Sequence, residues 1–421
     1  MRAFTKATLS GIALVGSAAL VLSGCAAPGA SPSAGPEQPA GGDLALKIGS
    51  ALPLTGNLAF LGPPEVAGTE FAAAEVNAAG AGITVELVQG DSGDTDNKAY
   101  ETEVPRVLGE GVSALIGAAS SGVSLQFIDQ VVAADTIMFS PANTSAEFTT
   151  YDDKGLYFRT APSDVLQGEV LGNLIAEDGV KNLGMIVLND SYGTGLAGFV
   201  TEAFEAAGGK VVAAPTYNTG DTSFDAQVSE VLAAGPDAIA LITFEEVKTI
   251  IPTLLSAGFP GDKLYFVDGN LSNFGANGDN LGGSIAGSKG TLPGLSIDTI
   301  AAFTKALNDF YVGEGNPELT EYAYAAESYD AVILLALASL AAGSTDSQAI
   351  AAKLQEVSGG SGNGTKCTTF AECAKIINDG GTADYDGISG PITFNEVGDP
   401  TEASIGIYVY KDDNTFVAYE G

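Results

Sequence analysis

Beyond a polar stretch that ends near Gly42, short apolar runs alternate with longer segments of helical period, the pattern that builds a doubly wound parallel sheet. Ala45–Ala51, Thr84–Leu87, Ala114–Ile116 and Ile137–Phe139 read as strands, separated by helices over 64–79, 97–108 and 125–134. A second set opens after Phe158–Pro162, with strands at Leu183–Leu188, Val211–Ala214, Ala238–Ile242 and Leu264–Val267. Its helices lie near 165–177, 196–207, 224–233 and 246–257. Two successive units of similar size predict two lobes, as does a length beyond the roughly 250–300 residues at which one core stops growing. From about Gly294 the chain turns more helical, at 300–310 and 322–342, and ends on strand-like Pro391–Phe394 and Ser404–Tyr410. Such a tail cannot build its own core and must return to the first two. Ligands on open α/β sheets sit at the carboxyl ends of strands. That rule selects the loops after Ala51, Ile116, Phe139, Leu188, Ile242 and Val267.

The start of the chain has a different pattern. Arg2 and Lys6 precede an apolar run from Leu9 to Leu22, long enough for a secretory signal but too short and too rich in Ser and Gly to span a bilayer. A signal peptide over 1–24 is expected, and no later apolar run reads as long and uninterrupted enough to cross a membrane. Leu22-Ser23-Gly24-Cys25 resembles the bacterial lipoprotein signal, which implies an acylated Cys25 at the outer face of the cytoplasmic membrane. Acyl chains add about 0.8 kcal/mol per buried CH2, so two or three hold a soluble domain at a surface. Residues 25–42, mostly Ala, Pro, Gly and Ser, read as a flexible tether.

Charge and composition remove several functions. The formal net charge is −35, and it becomes two more negative once Arg2 and Lys6 leave with the signal. Such a surface repels nucleic acid and anionic lipid. The chain has no His, so it lacks the usual base of Ser and Cys hydrolases and the commonest transition-metal ligand. Cys367 and Cys373 are the only cysteines besides Cys25 and, in an exported chain, read as one local disulfide. A redox or metal pair would need CxxC spacing or further ligands. Gly193, Gly195 and Gly198 fit GxGxxG formally, but four residues separate them from the preceding strand, and a turn with close helix packing explains them better. Asp91, Asp94 and Asp96 lack the Gly and Glu of a calcium loop and read as a solvated loop and helix cap. Neither GxSxG nor GxxxxGK[ST] occurs, so no cofactor, metal or catalytic residue is expected.

The selected loops carry small hydroxyl and amide groups. Gly117–Gly122 reads GAASSG before a helix, and Ser140–Thr144 reads SPANT. Either suits a carboxylate at a helix N-terminus, and either is equally read as plain capping. Tyr192, Phe244 and Asp268 lie in the loops of the second set. They can enclose an apolar body and hold an ammonium, or stand as a solvated acid beside two packing aromatics.

A family resemblance enters at these residues. ALPLTGNLAFLG at Ala51–Gly62, IGAASSG at Ile116–Gly122, FSPANT at Phe139–Thr144, FRTAPSD at Phe158–Asp164, NDSYGTG at Asn189–Gly195 and ESYDAV at Glu327–Val332 follow in family order. So do CTTFAEC at Cys367–Cys373, YDGISGPITF at Tyr385–Phe394 and GDP at Gly398–Pro400. Together they resemble type I periplasmic binding proteins of the branched-chain amino acid, or leucine-binding, branch. The resemblance implies an α/β fold of two Rossmann-like lobes with parallel sheets, joined by three crossings around a ligand cleft. It divides the chain into residues 43–161 plus 294–404 and residues 162–293 plus 405–421. It implies that Ser121, Thr144 and the Ala142 backbone hold a ligand carboxylate, that Asp268 and Tyr192 receive its ammonium, and that Phe244 walls the cleft. Leu61 stands where a Tyr is common and Asp268 where a Glu is common, which leaves the side-chain pocket open. The implied function is a monomeric, lipid-anchored solute-binding protein that delivers an amino acid to the permease and ATPase of an ABC importer. The other readings are a ligand sensor coupled to a receptor and an extracytoplasmic enzyme.

Overall fold

The computed structural model describes residues 43–420; the expected signal peptide, tether and Cys25 lie outside them. The first set of elements runs β1 (Leu44–Ala51), α1 (Gly62–Ala79), β2 (Ile83–Val88), α2 (Tyr100–Gly109), β3 (Ala114–Gly117), α3 (Ser121–Ala133), β4 (Ile137–Ser140) and β5 (Tyr157–Arg159). Its five strands pair in parallel in the order β2-β1-β3-β4-β5. The second set begins α4 (Asp164–Glu177), β6 (Asn182–Leu188), α5 (Ser191–Ala206), β7 (Lys210–Ala213), β8 (Thr216–Tyr217) and α6 (Asp225–Ala233). It continues β9 (Ala238–Ile242), α7 (Val247–Ser256), β10 (Leu264–Phe266), α8 (Phe274–Asn277) and β11 (Lys289–Pro293). The tail adds α9 (Ala301–Gly313), α10 (Ala325–Ala342), α11 (Ser347–Val357), β12 (Thr365–Cys367) and α12 (Phe370–Asn378). It ends with β13 (Ala383–Gly387), β14 (Gly390–Pro391), β15 (Ile405–Tyr410) and β16 (Phe416–Ala418).

The second sheet runs β16-β15-β11-β10-β9-β6-β7, with β8 beside β6. Only β15 runs against the other strands in it, pairing antiparallel with β11 on one side and β16 on the other. Every residue of β4 and of β9 is buried, because helices cover both faces of a parallel sheet and leave no wet side. The chain passes between the two sheets three times: after β5, between β11 and α9, and between β14 and β15. Each of these two larger sheets organises one apolar cluster, and β12, β13 and β14 form a third, three-stranded sheet. Leu58, Leu61, Ala119, Ala142 and Tyr324, which come from loops and crossings on the first sheet's side, pack into the second cluster.

Cap chemistry explains where helices begin earlier than the apolar pattern predicts. α3 starts at Ser121 because the Ser120 hydroxyl accepts from Val123 N at 3.3 Å. α5 starts at Ser191 because Asp190 Oδ1 accepts from Gly193 N at 2.7 Å. All three glycines of the GxGxxG match therefore lie inside α5. A Cβ at Gly193 would meet Leu188 O at 2.1 Å, whereas Gly195 and Gly198 face open space, so close packing explains only the first. The predicted strand over 391–394 shrinks to Gly390–Pro391, with Phe394 in an isolated bridge to Pro400.

α10 corrects the reading of the apolar runs. It has the length and composition to cross a membrane, yet 83% of it is buried inside the protein. It is a core helix hydrophobic on all sides. α1 crosses it closely at Gly68, where a Cβ would sit 2.3 Å from Ala325 O. Cys367 and Cys373 form a disulfide, with Cα atoms 5.4 Å apart, that ties β12 to α12.

Candidate functional site

The carboxyl ends of both sheets face each other across a narrow cavity. On the first sheet's side it is lined by Leu58, Leu61, Ala119, Ser120, Ser121, Ala142 and Thr144. On the other side stand Tyr192, Phe244, Asp268 and Gly269, with Tyr324 from the crossing ahead of α10. All seven ligand-site residues expected from the sequence line this one cavity. The walls meet so closely that the free space is about 10 Å3, room for about one water.

The first wall is built of hydroxyls and main-chain amides. The Ser140 hydroxyl donates to Ala118 O at 2.8 Å and accepts from Ala142 N and Asn143 N. Asn143 Nδ2 donates to the carbonyls of Ala118 and Ala119, so the loops after β3 and β4 are bonded into one surface. Ser121 Oγ accepts from Ser145 N at 3.2 Å, fixing the first residue of α3 against the second loop. Capping belongs to Ser120, which leaves Ser121 and Thr144 on the cavity. Behind this wall Arg159 is fully buried. Its Nε donates to Asp399 Oδ1 at 2.6 Å, Nη1 to Ser145 O at 2.8 Å and to Asn143 O at 3.3 Å, and Nη2 to Thr149 Oγ1 at 3.1 Å. The guanidinium thus braces the 142–145 loop and joins it to the turn before the third crossing.

The second wall is organised by an acid. Asp268 is 4% exposed, which removes the solvated-acid reading. Its Oδ1 accepts from Tyr192 Oη at 2.7 Å and Gln167 Nε2 at 2.9 Å, and its Oδ2 from Tyr324 Oη at 2.7 Å. Burial pushes the Asp268 carboxyl above its ordinary range, and these hydrogen bonds pull it back down. Burial and the nearby Asp268 carboxylate raise both tyrosines well above the usual phenol range, so they remain neutral donors. The Tyr192 and Phe244 rings stack with centroids 5.3 Å apart, forming the apolar side of the pocket.

Contacts between the two sides surround this cavity. Asn57 Nδ2 donates to Glu246 Oε1 at 3.1 Å, and Glu245 N to Asn57 O at 3.2 Å. Asp190 reaches the first turn of α3, where a Cβ on Gly122 would lie 2.7 Å from Asp190 Oδ2. Asp91 and Asp94 hold the loop that carries Leu58 and Leu61: Asp91 accepts from Leu54 N and Thr55 N, and Asp94 from Asn57 N at 3.0 Å. Among the described residues no group of three His, Cys, Asp or Glu side chains is placed to hold a metal ion.

Sequence reasoning missed Leu58, Ala119, Ser120, Gly269, Tyr324 and the polar support from Gln167. Tyr324 was assigned to a helix from Tyr322, but its φ of 60° is one that a bulky side chain rarely adopts. That conformation makes it the N-cap residue of α10 and puts its hydroxyl on Asp268. Gln167 carries no signal of its own in the sequence, although it lies one helical turn beyond the FRTAPSD fragment.

Residues 45–380 match the family described as periplasmic binding protein. The Leu/Ile/Val-binding protein homolog 1 of Brucella abortus is 32% identical over 322 residues, covering 73% of this chain and 82% of that protein. Homolog 2 from the same organism is 32% identical over 200 residues, so there the match spans about half of the curated relative, 53% of its length, and 46% of this chain. A chemotactic signal transduction substrate-binding protein of Halobacterium salinarum is 25% identical over 372 residues, 84% of each chain. Among solved structures, a leucine-binding protein of Thermotoga maritima superposes with a TM-score of 0.71 at 23% identity, covering 89% of this chain and 97% of that one. It shares the fold of two lobes. Because the matched region takes in every cleft residue named above, the chain belongs to the periplasmic binding protein family.

Proposed function

We propose that the protein is an extracytoplasmic solute receptor that captures one amino acid, branched-chain or similarly amphoteric, by lobe closure and delivers it to the permease of an ABC importer. It binds rather than transforms its solute, and Cys25 anchors it to the membrane by lipid. The observation that carries this reading is one closed cavity with opposite chemistry on its two walls. Hydroxyls and amides at the α3 N-terminus suit a carboxylate, and Asp268 across from them suits an ammonium. The names of the Brucella relatives support the same solute class. Free space of about 10 Å3 cannot admit an amino acid, so entry requires the lobes to part.

A thermal-shift screen across amino acids, amides, peptides and sugars tests the reading, since a ligand at about 100 times its Kd stabilises by about 2.7 kcal/mol. A flat response to every amino acid overturns it. Asp268→Ala is expected to cost about 2–5 kcal/mol of affinity by leaving a buried ammonium unpaired. Release of a Cys25→Ser variant from membranes tests the anchor. The likeness to the Halobacterium protein over most of both chains favours one second reading, a receptor-coupled sensor. Loss of solute uptake without loss of signalling on deletion of the gene separates transport from sensing.

A further inference from the structure

A second joint between the lobes lies outside the cavity, on the strap over 314–324 that links α9 to α10. Both helices pack in the first apolar cluster, so the strap leaves the first lobe and returns to it. Leu319 is buried in that cluster, and its N–H donates to Asn308 Oδ1 on α9 at 2.9 Å. The loop after β10 that faces the strap is fixed to the other lobe. Asn270 Nδ2 donates to Leu241 O at 2.6 Å, and Tyr410 Oη accepts from Ser272 N at 3.2 Å and donates to Ser272 O at 2.9 Å. Glu321 spans the joint and is 5% exposed. Its Oε1 accepts from Ser272 Oγ at 2.7 Å, Asn273 N at 2.7 Å and Asn277 Nδ2 at 2.9 Å, and its Oε2 from Asn273 Nδ2 at 3.3 Å. Asn273 Nδ2 also reaches Thr320 O at 3.2 Å. The chain does not pass between the two larger sheets here, so parting the lobes takes these bonds apart without unfolding either side. The cavity lining includes neither Glu321 nor its three donor residues.

We propose that Glu321 is a positioning residue that fastens the strap over 314–324 to the far lobe only when the cleft is closed, and so sets solute affinity without touching solute. The inference rests on the reading of the protein as a receptor that works by lobe closure. In the parted lobes water serves the carboxylate and its donors. On closing they satisfy one another, and hydrogen bonds to a charged group stabilise the closed form more than neutral ones do. For a solute that binds that form alone, the apparent Kd is the intrinsic Kd divided by the fraction closed. Weakening the strap contact lowers this fraction, so every solute loses affinity by one common factor. A residue in contact with solute would instead change the ratios between solutes.

The test titrates the whole protein calorimetrically with the twenty common L-amino acids and carries the binders into the variants. Glu321→Ala is expected to weaken each binder about 10- to 100-fold, the worth of one charged hydrogen bond, with their order and ratios kept. Glu321→Gln retains one oxygen as acceptor and is expected to recover part of the loss. Asn277→Ala removes a donor from the opposite side and is expected to weaken every binder about tenfold; it decides the matter if Glu321→Ala does not fold by circular dichroism. Hydrogen exchange of the wild type is expected to show the amides of 314–324 and Asn273 gaining protection only when solute is present. Equal protection without solute, or losses that differ between binders by more than threefold, would overturn the proposal. If Glu321→Ala and Asn277→Ala bind within twofold of the wild type while Asp268→Ala loses binding, this proposal falls and the reading of the cleft stands. If no amino acid binds, both fall.

Discussion

Under the proposed function, replacing Gly122 with Ala separates closure of the cleft from stability of the fold. In the closed cleft the new methyl would lie 2.7 Å from Asp190 Oδ2 and 3.4 Å from its Cβ and Cγ, and carbon does not tolerate the first of these distances. Asp190 cannot simply swing away, because its other oxygen caps α5 through Gly193 N at 2.7 Å. Breaking that cap costs about 0.5–2 kcal/mol, and the alternative is that the walls separate. With the cleft open the methyl meets neither constraint. There Ala is better than Gly in a helix by up to about 1 kcal/mol. The two effects have opposite signs. Thermal unfolding without solute is expected to rise in Tm, while calorimetry with the tightest-binding amino acid shows affinity falling by about 1 kcal/mol, roughly fivefold. Unchanged affinity would refute the claim that Asp190 docks on α3 when the protein closes. A fall in Tm would refute the view that the contact belongs to closure alone.

Burial pushes the Glu327 carboxyl up to about 8, and burial together with Glu327 raises Glu65 well above its ordinary range. Both folded values exceed the unfolded value of about 4.3, so the stability they contribute is complete below that pH and is lost as pH rises through about 8. Melting curves are expected to fall in Tm between about pH 5 and 8, and Glu327→Gln to flatten that fall and stabilise by about 2–5 kcal/mol at pH 9; equal slopes in both proteins would count against the assignment. Arg159→Met leaves the buried Asp399 carboxylate without its partner and should cost about 3–5 kcal/mol in denaturant unfolding; a loss below 1 kcal/mol would mean the pair contributes little. Cys367→Ser opens a short loop, for which the chain-entropy model gives a loss of about 2 kcal/mol, measured as the difference in unfolding midpoint that reductant abolishes.

Legibility differs sharply between fold and site. Continuous apolar runs such as Ala238–Ile242 mark strands buried on both faces, and their alternation with helical segments yields both parallel sheets. Loops that follow such strands are then located by rule, so Tyr192, Phe244 and Asp268 emerge from position, whereas Ser121 and Thr144 are singled out within their loops only by the family resemblance. Tyr324 does not, because its placement depends on a backbone turn at φ 60° inside an otherwise helical pattern. Gln167 looks like any helix residue until α4 is packed beside β11, where its amide also reaches Thr291. Caps were the other blind spot. Ser120 and Asp190 begin helices by accepting from amide groups, and such bonds leave no mark on apolar periodicity.

The commitment of Arg159 to Asp399 has a consequence for selectivity. It withholds the nearby guanidinium from the cavity, so under the proposed function the first wall meets a carboxylate with neutral donors only. Each such bond to a charged acceptor is worth about 1.5–3 kcal/mol, so no single one reaches the roughly 8 kcal/mol of a micromolar complex. The acidic wall, in turn, repels a lone carboxylate and leaves a simple amine with nothing to engage the hydroxyls. Under the proposed function neither organic acids nor plain amines satisfy the cleft. It behaves as a coincidence detector that registers a solute only when both charges arrive on one small molecule.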